Sequence, residues 1–405
     1  MVMENILVIG NGFDIAHGFN TRYEDFINFC KTIATVYQGF KDNQFIYQNE
    51  YNDILKEKLD KVFKEKSVSA KAIKYFSNLT PTSETSQFIK ACKENYWLTY
   101  VLKNKSMIGD KWSDLEYVIA KQIEILSYIS NNLNWHTREE TMLASRYSSN
   151  LIELFKIVTE ERGNNTDFQH QIELTKKHLY RELEELTWLL EIYLTRFLNT
   201  KTKKIELFKY LPVTKLISFN YTDTYTRMYK KETNTVHYIH GFAAKDRIKE
   251  ENNMVFGIGS EIKGRGLDWK EIKNVTDNDK YDYLEFQKYY QRIVKKTGNN
   301  STKWLNDNEQ FYIYFFGHSL DIVDGDVIRK LIHCEKAKVI IFYYNQKALN
   351  ALVVNLAKIL GKDELIQFTN EEKITFYKSD DLEIIKKLKN TMYQTRHEKL
   401  KSTVR

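Results

Sequence analysis

Several polar clusters in this chain stand where a run of aliphatic or aromatic residues stops, and their residue types suit a ligand that carries phosphate and sugar. Gly10-Asn11-Gly12-Phe13-Asp14 follows Ile6-Leu7-Val8-Ile9. Where a buried strand turns into a helix, backbone N–H groups face outward and glycine lets a pyrophosphate come close. A full dinucleotide fingerprint needs a third glycine or alanine where this chain has Ile15, with Ala16 one place late, so a nucleotide turn and a plain tight turn both stay open. Ser218-Phe219-Asn220-Tyr221-Thr222-Asp223 sets the Asn220 amide, two donors and two acceptors, just past a second apolar run. Thr222 or Asp223 also suits the N-cap of a helix through Met228.

His240-Gly241 closes the run Thr235 to His240, and an imidazole there can serve as general base on a ribose hydroxyl or as a structural histidine. His237 lies three residues earlier, on the opposite face of a strand, so the two do not share an ion and no metal is expected. Gly317-His318-Ser319-Leu320-Asp321, with Asp324, follows Phe311 to Phe316. The second glycine of Gly-x-Ser-x-Gly is missing, so a phosphate- or ribose-binding turn fits better than a nucleophile elbow. Tyr344-Asn345 ends the next run, where Asn345 either lines the cleft or caps a helix.

These clusters need a sheet to hold them. Strands are read at 6–9, 216–219, 235–240, 254–257, 311–316 and 339–344, with helical stretches at 281–296 and 327–334 and a last helix from Asp380. Strands alternating with helices imply a parallel sheet. Thr21 and Glu24 have capping-box spacing before a helix over 22–36, as do Ser113 and Glu116 within Trp112-Ser113-Asp114-Leu115-Glu116, and Glu383 after Asp380. From about 40 to 200 the pattern is helical, with stripes at Ile119, Ile123, Leu126, Ile129 and at Leu179, Leu183, Leu186, Leu190, Leu194, broken at 80–83 and 163–165. The fold class expected is α/β: a Rossmann-like nucleotide-binding domain over 1–38 and 205–405, with an all-helical insertion over 39–204.

Composition sets the bounds. The 405 residues are 42% hydrophobic, enough for a core, and 2 prolines with 15 glycines are too few for an all-β sandwich or barrel. A net charge of +7 is too small for a nucleic-acid-coating protein, and the basic end 386–405 reads as a solvated face. Cys30, Cys92 and Cys334 form no Cys-x-x-Cys pair, so neither a disulfide framework nor a cysteine zinc site is expected. No run of about 18 apolar residues occurs, and a cytoplasmic location is expected.

Taken together, 6–14, Ala16-His17-Gly18, Thr21-x-Tyr23, Trp112-x-Asp114-Leu115-Glu116, Phe219-Asn220-Tyr221-Thr222, Ile239-His240-Gly241 and Gly317-His318-Ser319-Leu320-Asp321 resemble the bacterial abortive-infection family AbiH. That family resembles a divergent branch of the sirtuin-like NAD-binding fold, whose antiphage members hydrolyse NAD. The resemblance implies an antiphage effector that cleaves the nicotinamide–ribose bond, or else a non-catalytic nucleotide-binding sensor or scaffold of a phage-defence system. It implies Gly10 and Gly12, with Asn11 and Phe13, at the phosphates, Asn220 at the nicotinamide ribose and His240 before Gly241 as base. Gly317 and Ser319, flanking His318, fall near the adenosine side. Sirtuin-like sites carry an aspartate two residues after the asparagine; here Thr222 stands there and Asp223 follows, and the residue holding the carboxamide stays open. Asp14 or Asp223 would stabilise the positive ribose of the transition state. The partners expected are NAD or a related dinucleotide, a phage-derived activator and further copies of the chain, without membrane or nucleic acid.

Overall fold

The computed structural model describes residues 5–38, 48–77, 80, 83–104, 112–131, 168–199, 201–229, 235–259, 283–298, 300–305, 310–381, 383–384 and 386–387. The chain divides into a sheet unit of Met1–Thr21, Asn199–Ala243 and Lys296–Arg405, and a helical unit of Arg22–Leu198 and Ala244–Lys295. The helical unit thus includes the helix Tyr23–Val36 and the segment 244–295, beyond the span 39–204 read from the sequence.

The sheet unit is Rossmann-like. Six strands, β1 Asn5–Ile9, β2 Val213–Ser218, β3 Thr235–Tyr238, β4 Phe311–Phe316, β5 Ala337–Tyr343 and β6 Ile374–Lys378, run parallel in the order β3-β2-β1-β4-β5-β6. Register aligns Tyr238, Ser218, Ile9, Phe316 and Phe342 across five strands, so the residues after each strand share one edge. The strand order reverses between β1 and β4, the place where open α/β sheets bind ligands.

Alternation along β1 explains why the sheet is covered twice. Ile6 and Val8 pack with Ile313, Phe315, Val339 and Ile341 against the helices Gly325–Ile332 and Gln346–Leu360. Leu7 and Ile9 face Phe13, Phe208, Tyr225, Tyr314 and Phe316 on the other side. Each fully buried aliphatic or phenyl side chain contributes about 1.5–3 kcal/mol.

In the helical unit, Leu179, Leu183, Leu186 and Leu190 of the helix Phe168–Ile192 are buried, and the Trp97 indole donates to the Leu179 carbonyl at 2.9 Å. Glu191 receives the Ala244 N–H at 3.0 Å and the Asn252 amide at 2.7 Å, with Arg247 at 3.4 Å, and so holds 244–252 to this helix. Glu116 is buried against Lys288 at 2.8 Å. Ser113 lies within the helix Trp112–Asn131, and the side chain expected to cap it falls outside the described residues.

Other expectations need correction. The strand expected at 254–257 is an extended buried segment of the helical unit. The Gln291 side chain bonds both the N–H and the carbonyl of Phe256 at 3.0 Å, taking the place of a neighbouring strand. The helix read over 281–296 is a single 3-10 turn, Leu284–Phe286, and a helix Lys288–Val294. The cap of the helix Tyr23–Val36 falls one residue late, with Asp25 accepting the Arg22 N–H at 3.1 Å. Asp381, rather than Asp380, accepts the Glu383 N–H at 2.9 Å, and the break at 163–165 and the tail past 387 lie outside the described residues. β6 went unread.

Candidate active site

The turn after β1 is welded to the turn after β4. Gly10 N–H donates to the Phe316 carbonyl at 3.2 Å, Gly12 N–H to the Gly317 carbonyl at 2.7 Å, and Phe13 N–H to the Gly10 carbonyl at 2.8 Å. A Cβ on Gly12 would lie 2.7 Å from Gly317 O, and one on Gly317, whose φ is +68°, would lie 2.1 Å from Phe13 N. The glycines are there because two backbones touch. The N–H groups of Gly10, Gly12 and Phe13, three of the residues expected at the phosphates, are thereby committed within the fold. Phe13 itself is core, 5.0 Å from the Phe208 ring, and the Asn11 amide donates to the Thr21 carbonyl at 3.0 Å.

Beyond that weld, the six-residue helix Asn11–Ala16 carries Asp14 into the protein. Asp14 is 1% exposed, and its Oδ2 accepts from the Thr222 hydroxyl at 2.5 Å; Thr224 in turn donates to Thr222 at 3.0 Å. Burial pushes the Asp14 carboxyl up to about 6, against the pull of the Thr222 and Thr224 hydroxyls and the Arg227 charge. Asn220 lies close enough to favour the charged form slightly, yet without hydrogen-bond geometry. Among the described residues, Asp14 Oδ1 and both polar atoms of the Asn220 amide are buried with no hydrogen-bond partner. Ser218 fixes the Asn220 backbone from both sides, its hydroxyl accepting the N–H and donating to the carbonyl at 3.1 Å each. A buried polar group left unpaired costs about 1–3 kcal/mol, so three such atoms side by side mark a place shaped for a polar ligand or water.

Asp223 does not join them. It begins the helix Thr224–Tyr229, is 60% exposed and pairs with Arg227 at 3.7 Å. Of the two carboxylates offered by the sequence, only Asp14 sits with Asn220.

A second group forms where the turns after β3 and β4 meet. His240 Nε2 lies 3.1 Å from Asp324 Oδ1, a contact that is ionic when the imidazole is protonated and whose N–H direction is off the line to the oxygen. His318 Nε2 lies 3.6 Å from the other oxygen of the same carboxylate. The Leu320 N–H donates to His318 Nδ1 at 2.9 Å, which leaves the proton of a neutral His318 on Nε2, facing Asp324. Phe219 packs edge-on against both rings, at 4.2 Å from His318 and 5.5 Å from His240. His237 turns away, its Nδ1 2.9 Å from the Ser301 hydroxyl. Among the described residues no three His, Cys, Asp or Glu side chains are arranged to hold a metal ion.

The remaining candidates have local tasks. Gly241 turns the chain at φ +71°, Ser319 is exposed while its carbonyl receives the Asn355 amide at 2.9 Å, and Asn345 is an exposed helix cap for the Ala348 N–H. His17 is structural: its Nδ1–H donates to the Phe13 carbonyl at 2.7 Å, and its Nε2 meets the Tyr229 hydroxyl at 2.5 Å. Burial holds its pKa below the usual imidazole value. Sequence reasoning missed the bridging place of Asp324 and the support from Thr224. Both are short polar residues in turns, where helix capping explains them equally well.

The fold and these clusters define a parallel α/β protein with a polar site at the carboxyl edge, beside the strand-order reversal. The chain belongs to the family described as Bacteriophage abortive infection AbiH, whose model matches residues 6–345. No curated protein and no solved structure matches it. Among the described residues, no helix is long and apolar enough to cross a membrane.

Proposed function

We propose that this AbiH protein is an abortive-infection effector that hydrolyses NAD at the nicotinamide–ribose bond, in a site of sirtuin-like kind. The observation that carries this reading is the buried, unpartnered Asn220 amide beside the Asp14 carboxyl at the carboxyl edge. In the reaction the bond between the ribose carbon and the nicotinamide nitrogen breaks, its electron pair leaving with neutral nicotinamide. Water adds to the ribose carbon and one proton is released. Asn220 orients that water or a ribose hydroxyl, and ionised Asp14 stabilises the positive charge that builds on the sugar. His240 acts as the base toward a ribose hydroxyl. The pyrophosphate is held by groups other than the N–H groups of Gly10, Gly12 and Phe13, which are spent within the fold.

The same buried Asn220 amide would serve a second reading equally, a sensor that binds a dinucleotide without cleaving it. The discriminating experiment incubates purified protein with NAD, alone and with phage lysate as a source of activator, and follows nicotinamide release and binding heat. Release that falls by about 100-fold or more in Asn220→Ala, with Asp223→Ala close to wild type and both variants folded, supports the hydrolase. Binding without release under both conditions would move the assignment to the sensor.

A further inference from the structure

Asp324 takes no part in the reaction as written above, yet its surroundings are specific. It closes the 3-10 turn Ile322–Asp324 and its N–H donates to the Asp321 carbonyl at 3.2 Å, while Asp321 Oδ1 receives the Val323 N–H at 3.4 Å. The backbone that carries this carboxylate is therefore fixed by its own turn, and the side chain is 13% exposed. One oxygen faces His240 from the turn after β3, and the other faces His318 from the turn after β4. Among the described residues, the titratable groups seen near His240 are Asp324, His318 through that shared carboxylate, and Tyr221, whose ring lies 6.3 Å away. An opposite charge this close favours a protonated imidazole and fixes which nitrogen faces it.

We propose that Asp324 is a positioning residue that grips His240 and His318 on its two oxygens, orienting His240 for its work on the ribose hydroxyl. Its catalytic consequence rests on the NAD-hydrolase reading; the grip itself does not. His318 carries no base role here, because the Leu320 N–H occupies its Nδ1 and its Nε2 turns to Asp324.

The test uses the full chain labelled with nitrogen-15 histidine, with the His240 and His318 signals assigned from His240→Gln and His318→Gln. In Asp324→Asn the titration midpoint of His240 should fall, since the opposite charge 3.1 Å from its Nε2 is gone, and the His318 Nε2 signal should move with it. Nicotinamide release should lose about tenfold or more in kcat with KM little changed, and Asp324→Glu should recover part of it. A His240 midpoint that stays in place overturns the proposal, as does a fully active Asp324→Asn variant of an active wild type. If the wild type releases no nicotinamide while the His240 midpoint falls and the His318 signal moves, the hydrolase reading fails and the grip stands. Should Asp324→Asn not fold, His318→Gln decides: with the carboxylate left to His240 alone, its midpoint should rise, and a fall or no change overturns the proposal.

Discussion

Asp14 is a carboxylate in a place that works against its charge. Burial lifts it from 3.8 to about 6, so between those values the folded protein binds the proton more tightly than the unfolded chain does. Stability from this group is present at low pH and is lost as pH rises toward about 6, with no further change above. At about 1.4 kcal/mol per tenfold, keeping Asp14 ionised at neutral pH costs on the order of 3 kcal/mol. Asp14→Asn, which keeps an acceptor for Thr222, is expected to melt roughly 5 °C or more above wild type near pH 7.5. That difference should vanish near pH 4; one that persists on acidification would falsify this account of the burial. A group retained at such a cost fits a site selected for chemistry over stability. The positions of Asn220 and His240 were legible because each stands directly past an apolar run. The choice of Asp14 over Asp223 was not, since it depends on which side chain the helix start at Thr224 sends outward. The meeting of Asp324 with two histidines is a tertiary event between turns that lie far apart in sequence.

At the scale of elements, the glycine turns decide between two uses of the same motif. As a phosphate cradle, Gly12 would tolerate little change in stability while governing substrate affinity. As a backbone weld, it governs stability. Gly12→Ala places a Cβ 2.7 Å from Gly317 O and 2.8 Å from Gly317 Cα, neither of which can swing aside as a side chain would. We expect a loss of about 2–3 kcal/mol, read as a melting point lower by roughly 5 °C or more, with affinity of the folded fraction for NAD little altered. A variant that melts like wild type but binds NAD tenfold more weakly would return the turn to the phosphates. The strands β1 and β4 were legible because burial on both faces writes a near-continuous apolar run, and β2 and β5 through the apolar stretches Leu216–Ile217 and Val339–Tyr343 within them. β6 lies at the sheet edge, where only Ile374 is buried along Ile374–Lys378, and so carried no such run. The opposite error at 254–257 arose because an apolar run reports burial, not a neighbouring strand.

For the whole molecule, the helical unit is assembled from two stretches of chain, and Glu191 shows how tightly the second is bound in. Its carboxylate is 3% exposed and takes the Ala244 N–H, the Asn252 amide and the Arg247 charge. Glu191→Ala leaves those donors and a largely buried guanidinium without their acceptor, and should cost about 3 kcal/mol, measured by denaturant unfolding of the full chain. A loss well under 1 kcal/mol would mean that 244–252 is held by its apolar contacts instead. The sequence could not reveal this membership: 244–295 follows the strand and turn that supply His240, and only contacts that skip about 50 residues place it with the helices.

β1 leads the chain, yet its hydrogen-bonding neighbours are β2, beginning at Val213, and β4, beginning at Phe311. At roughly 5–20 residues per second of synthesis, the aliphatic strand Ile6-Leu7-Val8-Ile9 waits on the order of 10–40 s for its first partner edge to leave the ribosome. During that time both edges of the strand are open to pairing with other chains. Slowed synthesis is therefore expected to lengthen the exposure of these edges and to favour aggregation, read as a larger insoluble fraction.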